Sequence, residues 1–304
     1  MKCEIRRNKA SGEWVVFAPR RGRRPSDFKS GTARPREDAP RRDPDCPFCP
    51  GNERSLPPVI EQAGAGGYGR HEVIIETPRH DRDPALMSAR ELRAMMEAYY
   101  KTYARLMKDP RNMLVLIFRN HGEGAGTSLR HLHSQIIATG LVPGHVRAAG
   151  REAQRYFDQH GSCAFCDALR FEKKEKRRLL FANRHFLCFV PYAAEVPCEM
   201  WIVPKRHWAC FGGTTVRDRA ALAEILGRAL RTLRARLGDP DYNYVLMSAP
   251  RNREADPHLH WYLRIRPRLT TRAGFEIGSG MLINPSLPED DRDFLKGKGR
   301  KPRK

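Results

Sequence analysis

The 304-residue chain lacks any apolar run of about 18 residues, the length that a membrane-spanning helix requires. Its first residues, Met1 to Arg7, also lack the apolar core of a secretion signal. We therefore expect a cytoplasmic protein with no membrane partner.

Acidic residues are scarce, because 35 Asp and Glu stand against 56 Lys and Arg and give a formal net charge of +21. Such an excess can attract a polyanion such as nucleic acid. The basic residues are spread over both ends and over several predicted helices, a distribution typical of solvated surface. The charge alone therefore does not identify nucleic acid as the partner.

The chain has eight cysteines, which in a cytoplasmic protein are typical of metal ligands or buried thiols rather than disulfides. Two Cys-x-x-Cys pairs stand out, Cys46 with Cys49 and Cys163 with Cys166. Turns rich in Pro and Gly surround the first pair, whereas a redox pair would follow a strand and begin a helix. The first pair is therefore interpreted as a metal-binding knuckle. The unpaired cysteines are predicted to be small buried side chains: Cys3, Cys188, Cys198 and Cys210.

Five features of the first half recur in the same order in the second half. They are the two Cys pairs, residues 77–80 with 203–207, the helical patterns 88–107 and 216–237, residues 108–110 with 238–240, and His131-Leu-His133 with His258-Leu-His260. This order indicates an internal duplication. Each half is predicted to contain strands, a long helix, a strand, a loop and a histidine-bearing strand.

Two thiolates and two imidazoles are a common ligand set for tetrahedral Zn²⁺. The duplicated order predicts two such sites, unless the second half has lost its metal and keeps only buried cysteines. The first site would use Cys46, Cys49, His80 and one histidine of the His131-Leu-His133 pair; the second would use Cys163, Cys166, His207 and His258.

Residues 120–135 concentrate glycines, hydroxyls, two imidazoles and an amide between two apolar strand-like segments. Alternate side chains of a strand share a face, which places His131, His133 and Gln135 together. One histidine can ligate a metal while the other reaches an open site, and the glycine-rich loop suits a phosphate. The second half has residues 251–257 at this point, without glycine, so we assign catalysis to the first half.

The pattern Asn120-x-Gly-x-x-x-Gly126-Thr-Ser128-x-x-His131-x-His133-x-Gln135, with the first Cys pair and the duplication, resembles the galactose-1-phosphate uridylyltransferase family of the histidine-triad superfamily. The resemblance implies an α+β fold of two histidine-triad-like halves, each an antiparallel sheet with a long helix, related by a pseudo-twofold axis. The halves would be residues 1–150, with the catalytic site, and 151–304, with the basic tail. The family also implies a homodimer.

The resemblance implies that His133 attacks the α-phosphate of UDP-glucose, forms a uridylyl-histidine and then passes UMP to galactose 1-phosphate. Gln135 would hydrogen-bond the transferred phosphoryl group and His131 would ligate zinc. The remaining implied residues are Ser128 and Thr127 at the phosphates, Asn120 and Gly126 in the substrate loop, Arg21 and Arg24 at the nucleotide, and Glu276 at the hexose.

Three alternatives remain open. The second Cys pair resembles the two-zinc branch that includes enzymes phosphorolysing ADP-glucose, and the first half lacks the segment that lines the uracil pocket in relatives. Transfer to water would make the protein a hydrolase with the same nucleophile. A zinc-stabilised nucleic-acid-binding protein would fit the charge, but the sequence has no groove-reading helix.

Overall fold

The computed structural model describes residues 4–17, 40–52, 54, 61–64, 67–127 and 129–298. Arg21, Arg24, Ser128 and Cys3 lie outside the described residues. The predictions made for them are therefore not compared with the structure.

Within the described residues, twelve strands form two sheets. The strands are β1 (Glu4–Arg7), β2 (Trp14–Phe17), β3 (Glu61–Gly64), β4 (Gly67–Ile75), β5 (Leu114–His121), β6 (His133–Thr139), β7 (Leu179–Ala182), β8 (Phe186–Phe189), β9 (Met200–Pro204), β10 (Tyr242–Met247), β11 (Tyr262–Pro267) and β12 (Leu282–Asn284). Nine of them make one antiparallel sheet in the order β3-β4-β6-β5-β10-β11-β9-β8-β7. In the small sheet, β2 pairs antiparallel with β1 and parallel with β12.

The two halves meet at the centre of the large sheet, where β5 and β10 pair antiparallel. Asn120 lies opposite Asn243, and Ile117 lies opposite Leu246. The strand order outward from this junction is β6 then β4 on one side and β11 then β9 on the other. The α+β class and the duplicated antiparallel halves are thus confirmed, and the structure adds that their sheets are continuous. The division at residue 150 stays a prediction.

Six α-helices accompany the sheets in the described part of the chain: α1 (Ala89–Lys108), α2 (Gly144–His160), α3 (Ala164–Glu175), α4 (Val216–Leu237), α5 (Gly274–Ser279) and α6 (Pro288–Leu295). A capping box begins α1, because the Ser88 hydroxyl accepts the Glu91 backbone N–H and the Glu91 carboxylate accepts the Ser88 N–H. The repeated helix α4 begins with the same arrangement at Thr215 and Asp218. No helix of the described chain is both long enough and apolar enough to span a bilayer.

Helices α1 and α4 pack on each other and on one face of the large sheet. Gly227 of α4 permits their close approach, because a Cβ at this position would lie 2.4 Å from Leu92 of α1. Ile117 of β5 and Ile136 of β6 are fully buried against this helical layer. Since strand side chains alternate, His133 and Gln135 lie on the opposite face, which these two helices leave uncovered.

Candidate active site and metal centres

The first Cys/His group forms as predicted, and its four residues are buried: Cys46, Cys49, His80 and His131. His131 Nδ1 lies 3.7 Å from Cys46 Sγ and 3.5 Å from Cys49 Sγ, and His80 Nδ1 lies 3.7 Å from Cys49 Sγ. A tetrahedral zinc with bonds of about 2.3 Å to sulfur and about 2.0 Å to nitrogen would hold these atoms about 3.6 Å apart. The donor set therefore fits a metal ion.

The orientation of His131 supports this interpretation. Its Nε2 lies 2.7 Å from the backbone carbonyl of Thr77. Because a carbonyl can only accept, Nε2 carries the hydrogen and Nδ1 presents its lone pair to the two thiols. In protein metal sites, the ring nitrogen of a histidine ligand that does not bind the metal usually donates its hydrogen to an oxygen such as a backbone carbonyl.

The second group comprises Cys163, Cys166, His207 and His260. The predicted ligand His258 is therefore wrong, and His260 takes its place. His260 Nδ1 lies 3.8 Å from Cys163 Sγ and 3.7 Å from Cys166 Sγ, and its Nε2 lies 3.0 Å from the Pro204 carbonyl. This repeats the arrangement of His131 and Thr77.

The prediction of His258 equated the two His-Leu-His motifs residue for residue, so that His258 corresponded to His131. His131 and His260 each stand two residues before the strand that follows, so Tyr262 lies at the position that His133 occupies in the first half. A shift of two residues keeps side chains on the same strand face, so sequence periodicity could not reveal it. His258 instead lies 2.9 Å from an Arg253 Nη atom and 3.6 Å from Asp256.

His133 is buried at the start of β6. Its Nδ1 lies 2.8 Å from the backbone carbonyl of His131, so Nδ1 carries the hydrogen and Nε2 keeps an unprotonated lone pair. Burial lowers the pKa of His133, which favours the neutral imidazole. The Phe48 ring packs edge-on, 5.1 Å from the imidazole centroid. The geometry therefore presents a neutral imidazole whose Nε2 lone pair is not used by the Nδ1 hydrogen bond.

Residues 122–127 form a compact loop that follows the end of β5, where Asn120 lies. Gly122 and Gly126 have φ angles of 87° and 86°, in the left-handed region that favours glycine. The Thr127 hydroxyl donates to the Asn120 carbonyl at 2.9 Å. The predicted substrate residues Asn120, Gly126 and Thr127 are thus brought together.

The second half supports this loop through residues that sequence analysis missed. Asn243 Nδ2 donates to Asn120 Oδ1 and to the Ala125 carbonyl, both at 2.8 Å. Arg268 Nε in turn donates to Asn243 Oδ1 at 2.5 Å. The role of Asn243 follows from the register of β10 against β5, and no local sequence pattern predicts that register.

A polar network lies behind β6, on the helical side of the sheet. The side chains of Glu76 and Arg119 form a buried ion pair, and the Tyr99 hydroxyl lies 2.5 Å from both Glu76 Oε1 and the Tyr244 hydroxyl. The Ser134 hydroxyl also contacts Glu76 and Tyr99. Burial raises the pKa of Tyr244 to about 12. These contacts hold the strand that carries His133.

Glu276, predicted to contact the hexose, lies at the start of α5. Its Oε2 accepts the Ala273 backbone N–H at 3.1 Å, which caps the helix. Among the described residues, Glu276 makes no hydrogen bond to the glycine loop or to β6. Its predicted substrate role stays a prediction.

Two further features lie apart from His133. Asp83, His121 and Asp239 are grouped closely, but Arg234 already places a guanidinium nitrogen 2.9 Å from Asp83 Oδ2. A cavity of about 400 Å³ lies beside the second half, where its walls include Phe165. None of the predicted catalytic, substrate or metal residues that the structure describes lines that cavity.

Comparisons with known proteins agree with the repeated architecture. Residues 60–143 match the model of the galactose-1-phosphate uridyl transferase N-terminal domain, and residues 150–296 match that of the C-terminal domain. The chain is 31% identical to an ADP-glucose phosphorylase of Arabidopsis thaliana, over 94% of this chain and 90% of that protein. It is 25% identical to a galactose-1-phosphate uridylyltransferase of Thermotoga maritima, over 94% and 96%. The structure of an Arabidopsis thaliana ADP-glucose phosphorylase with bound ADP-glucose superposes with a TM-score of 0.83 at 28% identity, covering 97% of this chain and 98% of that one.

Proposed function

Because the chain belongs to the galactose-1-phosphate uridylyltransferase family of nucleotidyltransferases, we propose that it moves UMP between UDP-glucose and galactose 1-phosphate through His133. The observation that carries this proposal is the hydrogen bond from His133 Nδ1 to the His131 carbonyl at 2.8 Å. This bond leaves the Nε2 lone pair for attack on phosphorus.

In the first step, His133 Nε2 attacks the α-phosphorus of UDP-glucose. An N–P bond forms, the bond from α-phosphorus to the bridging oxygen breaks, and glucose 1-phosphate leaves with that electron pair. In the second step, a phosphate oxygen of galactose 1-phosphate attacks the same phosphorus and releases neutral His133. The two half-reactions share one site, so the kinetics should be ping-pong.

The remaining residues bind the phosphoryl group during transfer. We assign Gln135 to the transferred phosphoryl group, since a side-chain NH₂ group can donate to an anionic oxygen. Asn120, Gly126 and Thr127 keep the place at the substrate phosphates that the family resemblance implies. Ser128, Arg21, Arg24 and Glu276 keep the roles that the family resemblance implies.

We propose that both Cys/His groups hold Zn²⁺, in structural sites with four protein ligands each. Bound zinc would fix His131, and the backbone carbonyl of His131 orients the His133 ring. Our proposal includes a homodimer in the cytoplasm, where thiols stay reduced. Analytical ultracentrifugation tests the dimer.

A second candidate is an ADP-glucose phosphorylase, which would pass an adenylyl group from His133 to inorganic phosphate. The observation in its favour is the higher identity to the Arabidopsis ADP-glucose phosphorylase, 31% against 25% for the Thermotoga uridylyltransferase. The first half-reaction would be the same, with ADP-glucose as donor.

The test is intact-protein mass spectrometry after incubation with UDP-glucose or ADP-glucose. We expect a uridylyl adduct on wild type and no adduct on His133→Ala; adenylylation alone would favour the second candidate. Adding galactose 1-phosphate or inorganic phosphate to the isolated adduct then identifies the acceptor. Absence of an adduct with either donor would refute nucleotidyl transfer through His133.

A further inference from the structure

His71 contacts a proposed catalytic residue but belongs to none of the predicted motifs. It lies on β4, which pairs antiparallel with β6, and its neighbour two residues along, Val73, lies opposite Gln135. His71 and Gln135 share the sheet face that carries His133. The His71 Nε2 atom lies 2.9 Å from Gln135 Oε1.

This contact is made by the oxygen end of the Gln135 amide. The amide oxygen can only accept, so His71 Nε2 carries the hydrogen and donates it to Oε1. The NH₂ group of Gln135 then points away from His71. An NH₂ group can donate to an anionic phosphoryl oxygen, whereas an amide oxygen in the same place would repel it.

A glutamine side chain without such a partner can rotate by half a turn about its last bond, at which torsional preferences are weak. The rotated amide would present oxygen to the phosphoryl group and would lose the transition-state hydrogen bond. Holding a group in its reactive orientation before substrate binds is an established source of rate enhancement.

We propose that His71 is a positioning residue that fixes the Gln135 amide with its NH₂ group toward the transferred phosphoryl group. The inference rests on the proposed function of Gln135 and adds a residue to it. His71 touches neither the substrate nor the reacting atoms in this assignment. It acts only through Gln135, and this dependence makes the proposal testable.

The experiment is a double-mutant cycle that measures the single-turnover rate of nucleotidyl transfer to His133. His71→Phe removes the donor and keeps a ring of similar size, while His71→Gln retains an N–H donor. We expect His71→Phe to lower the rate by about tenfold or more with little change in donor affinity, and His71→Gln to recover most of the rate. In a Gln135→Ala background, His71→Phe should have no additional effect.

His145→Phe is the matched control, because it removes an exposed histidine on α2 and should leave the rate unchanged. Circular dichroism and thermal melting establish that each variant is folded. An equal loss from His71→Phe with and without Gln135 would overturn the proposal, since His71 would then act independently of the amide. Wild-type rates in a folded His71→Phe would overturn it as well. Failure of the wild-type protein to form any adduct would instead refute the proposed function.

Discussion

Asn243 donates its side-chain amide to Asn120 Oδ1 across the strand pair that joins the two halves, at a distance of 2.8 Å. The same NH₂ group donates to the Ala125 carbonyl, so one residue of the second half holds this loop of the first half at two points. The second half thus contributes directly to the geometry of the proposed site, although it has Tyr262 at the position where the first half has the proposed nucleophile, His133.

Replacing Asn243 with Ala should therefore slow nucleotidyl transfer to His133 by about tenfold, because the loop loses two hydrogen bonds that preorganise it. Single-turnover kinetics with the donor measure this effect. Asn183→Ala is a suitable comparison, since it removes an amide donor to the Ala221 carbonyl away from the loop. Equal rates in the two variants would argue against a role for Asn243 in the site.

The correction from His258 to His260 predicts a difference in metal content. Wild type should bind about two zinc ions per chain, His260→Ala about one, and His258→Ala about two, because a closed tetrahedral site needs all four ligands. Elemental analysis of the purified proteins measures these values. Loss of one metal from His258→Ala, with none from His260→Ala, would contradict the assignment.

The buried hydroxyl of Tyr99 should contribute to stability. Tyr99→Phe leaves the partners Glu76, Ser134 and Tyr244 short of one hydrogen-bonding group, and we expect a loss of about 1–3 kcal/mol in the free energy of unfolding. Urea denaturation measures it. Tyr100→Phe, at a partly buried neighbouring position, should change the free energy by less than about 0.5 kcal/mol; similar losses in both variants would contradict the network's role.

The stability should also depend on pH through Asp291, which is fully buried in α6. Burial raises the pKa of its carboxyl from an ordinary 3.8 to about 7. The folded protein then binds this proton more tightly than the unfolded chain. The protonated carboxyl therefore stabilises the fold fully below about pH 4, and this stabilisation is lost as the pH rises to about 7.

The side chain in the Asp291→Asn variant cannot ionise, so the variant should lack this pH-dependent part of the stability. The difference in unfolding free energy, Asn variant minus wild type, should increase between pH 5 and pH 8 by an amount on the order of a few kcal/mol. Denaturant unfolding at several pH values measures it. A difference that does not vary with pH would mean that the Asp291 carboxyl titrates alike in both states.

Local chemistry made much of the site predictable. The Cys pairs, the glycine loop and the spacing of His131, His133 and Gln135 are short-range patterns, and the structure places the first Cys/His group and the loop as those patterns indicated. The Ser88 capping box was predictable for the same reason, because a helix cap depends on residues three apart. Contacts of Asn243 and His71 could not be predicted, since each depends on strand pairing between distant segments.

The sequence alone determined the duplication, because repeated order is a property of the chain itself. The family resemblance carried by its motifs added the α+β class and the choice of His131 as the fourth member of the first Cys/His group. Only the tertiary structure decided which histidine completes the second group and which residues hold the Gln135 and Asn120 amides. A strand repeats every two residues, so His258 and His260 are equivalent in pattern. The carbonyl of Pro204 and the two thiols distinguish them in space.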